Sequence, residues 1–364
     1  MGRGFLARME RSILIIVRGK SKPLPVTGEQ AFIASVRRRA GGSRHVRTGI
    51  GDDCAVLRAP QGSEILVTTD FSLEQVHFRR DWHPPESAGH RCLARGLSDL
   101  AAMGARPLAA FLSLALPPEC TGAWARRFLN GLLSLARRHK VPLAGGDTAQ
   151  SPTGRPEGLV LADIVLIGAA PQGAALLRSG ARPGDILYLT GALGGAAAEL
   201  LALGRAPEAF QRQTRAVAGH PHLYPMPRLG IGAALLAGKM ATAAIDVSDG
   251  LSTDLAHLCD ESGLAAEIHE SALPIHPLAR KAEADGWVPS ALHLALNGGE
   301  DYELLFTAPP EKKIPSRLAG VSIYAIGAMT RRDRGKPRIT LTRPDGKRMQ
   351  VRASGWEHFV TSRR

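Results

Sequence analysis

Apolar positions recur at helical intervals over residues 29–39, 86–103 and 124–139, so each stretch predicts an amphipathic helix with its apolar stripe turned to a core. Between these stretches the chain breaks into short apolar runs bounded by glycine, proline and aspartate. Such runs predict strands at 49–57, 65–69, 107–116, 141–144 and 159–170. Residues 171–184, rich in Gly and Pro, interrupt the pattern, and alternation then resumes. Strands are expected at 186–190, 243–247, 304–307, 322–326 and 338–342, and helices at 195–203, 229–237 and 251–262. Helix and strand thus alternate in both halves, which predicts two α/β or α+β domains, 28–170 and 171–364. The basic stretch 1–27, ending in Lys-Pro-Leu-Pro, connects to neither and is expected to be a disordered extension or to precede the true start.

A length of 364 residues agrees with two domains, and 44% hydrophobic with 22% charged residues is ordinary globular composition. The early apolar run 13–17 is far shorter than the roughly 20 residues a membrane span needs, and it lacks a secretory cleavage pattern. A cytoplasmic protein without membrane association is the expectation. Cys54, Cys92, Cys120 and Cys259 are widely spaced and form no metal or disulfide pattern. The net charge of +13 suggests nucleic acid only until it is divided along the chain. Residues 1–50 hold 11 basic and 2 acidic side chains and residues 331–364 hold 11 and 3, leaving 24 and 28 for the middle. A mildly acidic middle with 5% aromatic residues is no surface for stacking and steering a nucleic acid.

The candidate chemistry lies in aspartates that recur where strands finish: Asp52-Asp53, Asp70, Asp147, and Asp246 with Asp249, joined by Asp99 on an apolar helix. One Asp beside a glycine is usually a turn or a helix cap. Carboxylates gathered at one cleft would raise each other's pKa unless cations sat between them, and hard oxygen ligands suit Mg²⁺ bridging to phosphate. Other phosphate devices are missing: Gly232, Gly238 and Lys239 lack Walker A spacing and its Ser or Thr, and no GxGxxG opens a helix. HExxH and GxSxG motifs are also absent, which removes zinc hydrolysis and a serine elbow. His77, shortly after Asp70, is the one histidine near an acidic strand end.

The motifs GIGDDCAVL (49–57), TTDFSLEQVHF (68–78), LSDLAAMGA (97–105), GGDT (145–148), RSGARPGD (178–185), IDVSDGL (245–251), GGEDYELLF (298–306) and GWEHF (355–359) appear in this order. Together they resemble the thiamine-phosphate kinases, ATP-dependent enzymes of the aminoimidazole-ribotide-synthetase-like superfamily. The resemblance implies a two-domain fold with an N-terminal mixed sheet carrying ATP, Mg²⁺ and the dimer contact, and a C-terminal α/β domain completing the site. It implies several Mg²⁺ ions on Asp53, Thr68, Thr69, Asp70, Asp99, Asp147, Asp246 and Asp249, with Asp70, Asp147 and Asp249 central to catalysis. Gly146, Asp147, Arg178 and Ser248 would touch ATP, and His77, Glu300 and Trp356 would hold thiamine monophosphate. The implied reaction is direct in-line transfer of the ATP γ-phosphoryl group to that monophosphate by a homodimer. Gly96, Ala149 and Glu357 depart from the usual family residues, which leaves the metal ligands intact and affects contacts around the triphosphate. Another ATP-using member of the superfamily, a ribotide-synthetase-like ligase, would share the aspartates but not GGEDYEL together with GWEHF.

Overall fold

The computed structural model describes residues 28–152, 158–217 and 219–356. The expected extension 1–27 and the end of the GWEHF motif, Glu357 included, lie outside these residues. The first part of the chain runs α1 (Glu29–Arg39), β1 (Val46–Thr48), β2 (Val56–Leu57), β3 (Ser63–Leu73), α2 (Pro85–Ala102), β4 (Arg106–Leu116), α3 (Ala123–His139), β5 (Leu143–Gln150) and β6 (Leu161–Pro171). Its main sheet has the order β3-β6-β4-β5 and is mixed, because β4 and β5 run parallel while the other pairs are antiparallel.

α2 organises the molecule. Pro85 opens it at a position where a missing N–H costs nothing. Almost every residue of α2 is buried, since the helix packs on the sheet, on α3 and on elements of the second half. The α2–α3 crossing is set by two glycines: a Cβ on Gly89 would stand 1.9 Å from the Phe128 carbonyl oxygen, and one on Gly131 would stand 1.8 Å from that of Glu86. Backbones in such contact leave no room for any side chain.

The second part runs β7 (Ile186–Thr190), α4 (Gly195–Arg205), α5 (Leu229–Ala237), β8 (Ala243–Val247), α6 (Leu251–Glu261), β9 (Leu264–His269), α7 (Pro277–Ala284), α8 (Ala291–Asn297), β10 (Glu303–Ala308), β11 (Arg317–Leu318), β12 (Val321–Arg331), β13 (Ile339–Thr342) and β14 (Arg348–Val351). Its sheet has the order β14-β13-β9-β12-β7-β10-β8, with β11 paired to β12. One core joins Leu97, Leu100 and Leu166 of the first part to Leu235, Leu304 and Phe306 of the second. A separate core, with Leu187, Leu255 and Ile326, fills the space between the second sheet and α6. No helix among the described residues is long and apolar enough to cross a membrane.

Most predicted elements form close to their expected bounds, with three instructive departures. The strand expected at 49–57 forms only at its end, as β2, because the Gly-Asp-Asp stretch before it turns, with an isolated bridge between Ile50 and Asp52. β5 does not stop at Gly145-Gly146 but continues to Gln150, because Gly146 adopts φ 147° and sits so close to β4 that a Cβ would lie 1.9 Å from the Leu112 oxygen. β12 reaches Arg331 by absorbing an irregularity between Ala325 and Gly327. β1, β9, β11, β14, α7 and α8 are not among the expected elements. β9 follows α6 after a two-residue turn, so its apolar run reads as more helix, and α7 and α8 are too short to establish a period.

Candidate active site

A cleft of about 570 Å³ opens where α2, the end of β3, the β8–α6 turn and the segment before β10 converge. Asp70 on β3, Asp99 on α2 and Asp246 on β8 all line it. Thr68 Oγ1 donates to Asp99, and Ser98 Oγ donates to Asp246 at 2.7 Å. Burial pushes the Asp70 carboxyl up to about 7, with the negative charges of Asp99 and Asp246 adding to the effect and Arg95 opposing it. Burial likewise raises Asp246 to about 7, reinforced by Asp99, and raises Asp99, with Arg178 drawing both back. The Asp70 Oδ2 oxygen is buried with no hydrogen-bond partner. An ionised carboxylate left this way is costly, and a cation between the three would remove the cost.

That donor set, hard oxygens in a negative site with one oxygen unclaimed, fits Mg²⁺. Among the described residues no three acidic, histidine or cysteine side chains are arranged to hold an ion by themselves. Mg²⁺ held there would therefore take further oxygen ligands from water or phosphate.

The β8–α6 turn supplies Ser248 and Asp249 to the cleft. Its shape is fixed by Asp254, whose Oδ2 accepts from the backbone N–H groups of Ser248, Asp249 and Gly250 at 3.0, 3.0 and 3.1 Å. The facing turn carries left-handed backbone at Gly299, Glu300 and Tyr302, φ 68°, 58° and 50°. Two of these are not glycine, each costing roughly 1 kcal/mol or more. Glu300 N–H to the Ser248 oxygen at 2.7 Å and Tyr302 N–H to the Val247 oxygen at 2.9 Å hold them there. The contortion sends successive side chains to different tasks. Glu300 meets Arg91 Nη2 at 2.6 Å, Asp301 accepts from the N–H groups of Gly194 and Ala196 at the start of α4, and Tyr302 OH meets Arg95 at 3.3 Å. Burial alone would raise Glu300, yet Arg91, His222 and Arg95 hold its carboxyl well below the usual range. Arg95 bridges the two halves of the cleft, with Nε 3.8 Å from Asp70 and Nη1 3.6 Å from Glu300.

His77 lines the cleft, its Nδ1 accepting from Leu73 N–H at 3.0 Å, so that Nε2 carries the proton in the neutral ring. Trp356 stands at the mouth, 55% exposed. Asp70, Asp99, Asp246, Ser248, Asp249, His77, Glu300 and Trp356 are thus brought together around one cavity, with Thr68 bonded to Asp99.

The remaining expected ligands sit elsewhere. Asp53 is exposed in the turn before β2. The strand register places Asp147 in the row of Ser113, Asp163 and Phe71, and Thr69 is two residues from Phe71. Both therefore belong to the sheet face opposite Thr68 and Asp70. Gly146 lies within β5, and Arg178 is exposed on the connection between the two sheets, near enough to act on Asp99 and Asp246.

Residues 51–170 match the family model described as AIR synthase related protein, N-terminal domain, and residues 182–340 match that of its C-terminal domain. The thiamine-monophosphate kinase of Salmonella typhimurium is 38% identical over 340 residues, 92% of this chain and 99% of that protein. The chain belongs to the thiamine-monophosphate kinase family. A solved thiamine-monophosphate kinase from Stenotrophomonas maltophilia is 32% identical, with TM-score 0.71 over 88% of this chain and 97% of that one. The structure of AaThiL complexed with AMPPCP and TMP is 29% identical, with TM-score 0.70 over 94% and 100% of the two chains.

Within this thiamine-monophosphate kinase fold, sequence reasoning missed Arg91, Arg95, His83, His222 and Tyr302. One signal was available: Arg91, Arg95 and Asp99 recur every four residues and so share a face of α2. His222 lies in a segment without periodicity, and nothing local marks it.

Proposed function

We propose that the chain transfers the γ-phosphoryl group of ATP to the terminal phosphate oxygen of thiamine monophosphate, releasing ADP and thiamine diphosphate. The observation that carries this reading is the Asp70–Asp99–Asp246 cluster, Asp246 buried and the other two half-buried, standing across Arg95 from an arginine-held Glu300. Asp70, Asp99 and Asp246, with Thr68 and Asp249 beside them, would hold Mg²⁺; Asp53, Thr69 and Asp147 stay in the proposed set on family resemblance. Bound there, the metal would supply charge neutralisation for the facing phosphates. The acceptor phosphate is already ionised, so no strong general base is needed and catalysis is a matter of position and field. Arg95 would draw the two anions toward one place, and Gly146, Arg178 and Ser248 would contact ATP. Glu300, kept ionised, would accept from the aminopyrimidine while Trp356 stacks on an electron-poor ring and His77 donates through Nε2.

We further propose a homodimer built on the open face of the first sheet, where Ile65, Val67 and Phe71 of β3 are 45%, 60% and 62% exposed. A row of large apolar side chains on an open sheet face is a surface for association.

Purified protein mixed with ATP, Mg²⁺ and thiamine monophosphate, with free thiamine in parallel, tests the main reading by chromatography of products. Thiamine diphosphate from the monophosphate alone, abolished by EDTA, is expected. ATP loss without that product, or no turnover, would overturn the assignment.

A further inference from the structure

Glu300 is gripped from two sides: Arg91 Nη2 donates to Oε1 at 2.6 Å, and His222 Nδ1 lies 3.1 Å from Oε2. The second contact decides the tautomers of everything behind it. A lone pair on Nδ1 would face a negative oxygen, so Nδ1 carries the proton and donates. His222 Nε2 is then an acceptor, and the proton in its 2.9 Å contact with His83 Nε2 belongs to His83. His83 Nδ1, left as an acceptor, takes the Arg79 backbone N–H at 3.1 Å. The Arg79 carbonyl oxygen also lies 3.2 Å from His83 Nδ1, but it already accepts from the His83 backbone N–H at 2.8 Å, so the line runs from a backbone amide to a carboxylate.

The surroundings keep it in that state. Arg91 Nη1, also 3.1 Å from His222 Nδ1, gives its proton to the His222 carbonyl, and Nη2 reaches the His77 carbonyl at 3.1 Å as well. Glu199 accepts from the N–H groups of His222 and Leu223 at 2.7 and 3.2 Å, fixing the backbone that carries the imidazole. His83 and His222 are each 1% exposed. Burial, with the Arg91 charge beside them, pushes both pKa values down, so both rings stay neutral.

We propose that Arg91, His222 and His83 are positioning residues for the acceptor: through them Glu300 presents its remaining lone pairs, in one plane, to an amino-bearing heteroaromatic ring. This deepens the kinase reading above and rests on it. ATP handling lies on the aspartate side of Arg95 and does not pass through the imidazole line.

Steady-state kinetics with each substrate varied separately test the proposal on the full chain. Wild-type turnover of thiamine monophosphate is established first; its absence overturns the kinase reading by itself. Given turnover, His83→Phe, which keeps a buried ring and removes the donor, should raise the acceptor KM about tenfold or more, with kcat and the ATP KM within about twofold. His222→Leu should behave alike, and His222→Asn, which keeps a donor near Nδ1, should recover most of the loss. In a Glu300→Gln background, His83→Phe should add little, because the residue it acts through is already altered. An unchanged acceptor KM in folded His83→Phe, equal losses in the ATP KM, or full additivity with Glu300→Gln would each overturn the proposal.

Discussion

Asp70 shows how much a single side chain reveals. It was legible from a Thr-Thr-Asp run that closes an apolar stretch, although β3 does not finish there but continues to Leu73; the structure adds that one of its oxygens is buried without a partner beside two further carboxylates. Asp70→Asn should therefore separate stability from function. Without divalent ions at pH 8 the variant should unfold at higher urea than wild type, by on the order of 1 kcal/mol, because one of three repelling charges is gone. With Mg²⁺ and ATP its turnover should fall by about two orders of magnitude. Retained turnover, with no gain in urea midpoint, would remove Asp70 from the site's centre. The basic partners were less legible for a physical reason. An arginine on a buried helix has no signature of its own, and Arg91 acquires meaning only from Glu300, 209 positions away, and His222, 131 positions away.

Among elements, the start of α4 illustrates a cap supplied from a distance. Gly194, φ 82°, precedes the helix and no neighbouring side chain caps it. Asp301 does so instead, taking the N–H groups of Gly194 at 2.7 Å and Ala196 at 3.1 Å, where the helix dipole favours a negative group. Burial nevertheless pushes the Asp301 carboxyl from 3.8 up to about 7. A folded-state value above the unfolded one means the folded protein keeps a proton that the unfolded chain releases. Its contribution to stability thus declines as pH rises from about 4 to about 7, and is flat above that. Asp301→Asn cannot titrate, so the difference in unfolding free energy between pH 5 and pH 8 should shrink by on the order of 1–4 kcal/mol. An identical pH slope in urea titrations of both proteins would show that Asp301 does not carry it. Elements with a clear period, α1, α2, α3 and α5, were readable within a residue or two. β9, α7, α8 and β14 were not, since they are short and take their form from neighbours; β9, for example, is fixed by pairing with β12 and β13.

For the whole molecule, the first sheet has one face under α2 and one face open. Phe71, the most exposed of the three large apolar residues on β3, belongs to that open face. Phe71→Glu should convert a dimer to a monomer by light scattering at micromolar concentration, since the new carboxylate would stand opposite Asp163 across the strands and two like charges would be buried together. An unchanged mass, or a monomeric wild type, would place the association elsewhere or nowhere. The two-part organisation was legible from the Gly- and Pro-rich break at 171–184, whereas the sharing of one core across both parts was not, because α2 shows a sequence only that it is apolar.

α2 has a metrical consequence too. It carries Arg91, Arg95 and Asp99 at intervals of four, each advancing about 6 Å along the axis and about 40° around it. The helix is thus a ruler about 12 Å long, with the Glu300 anchor at one end and the acidic cluster at the other. The gap between the two proposed docking places is graduated in peptide units rather than left to loop conformation. Lengthening a loop could leave that calibration intact, whereas one residue added between Arg91 and Asp99 would turn the far mark by about 100° and put it out of register.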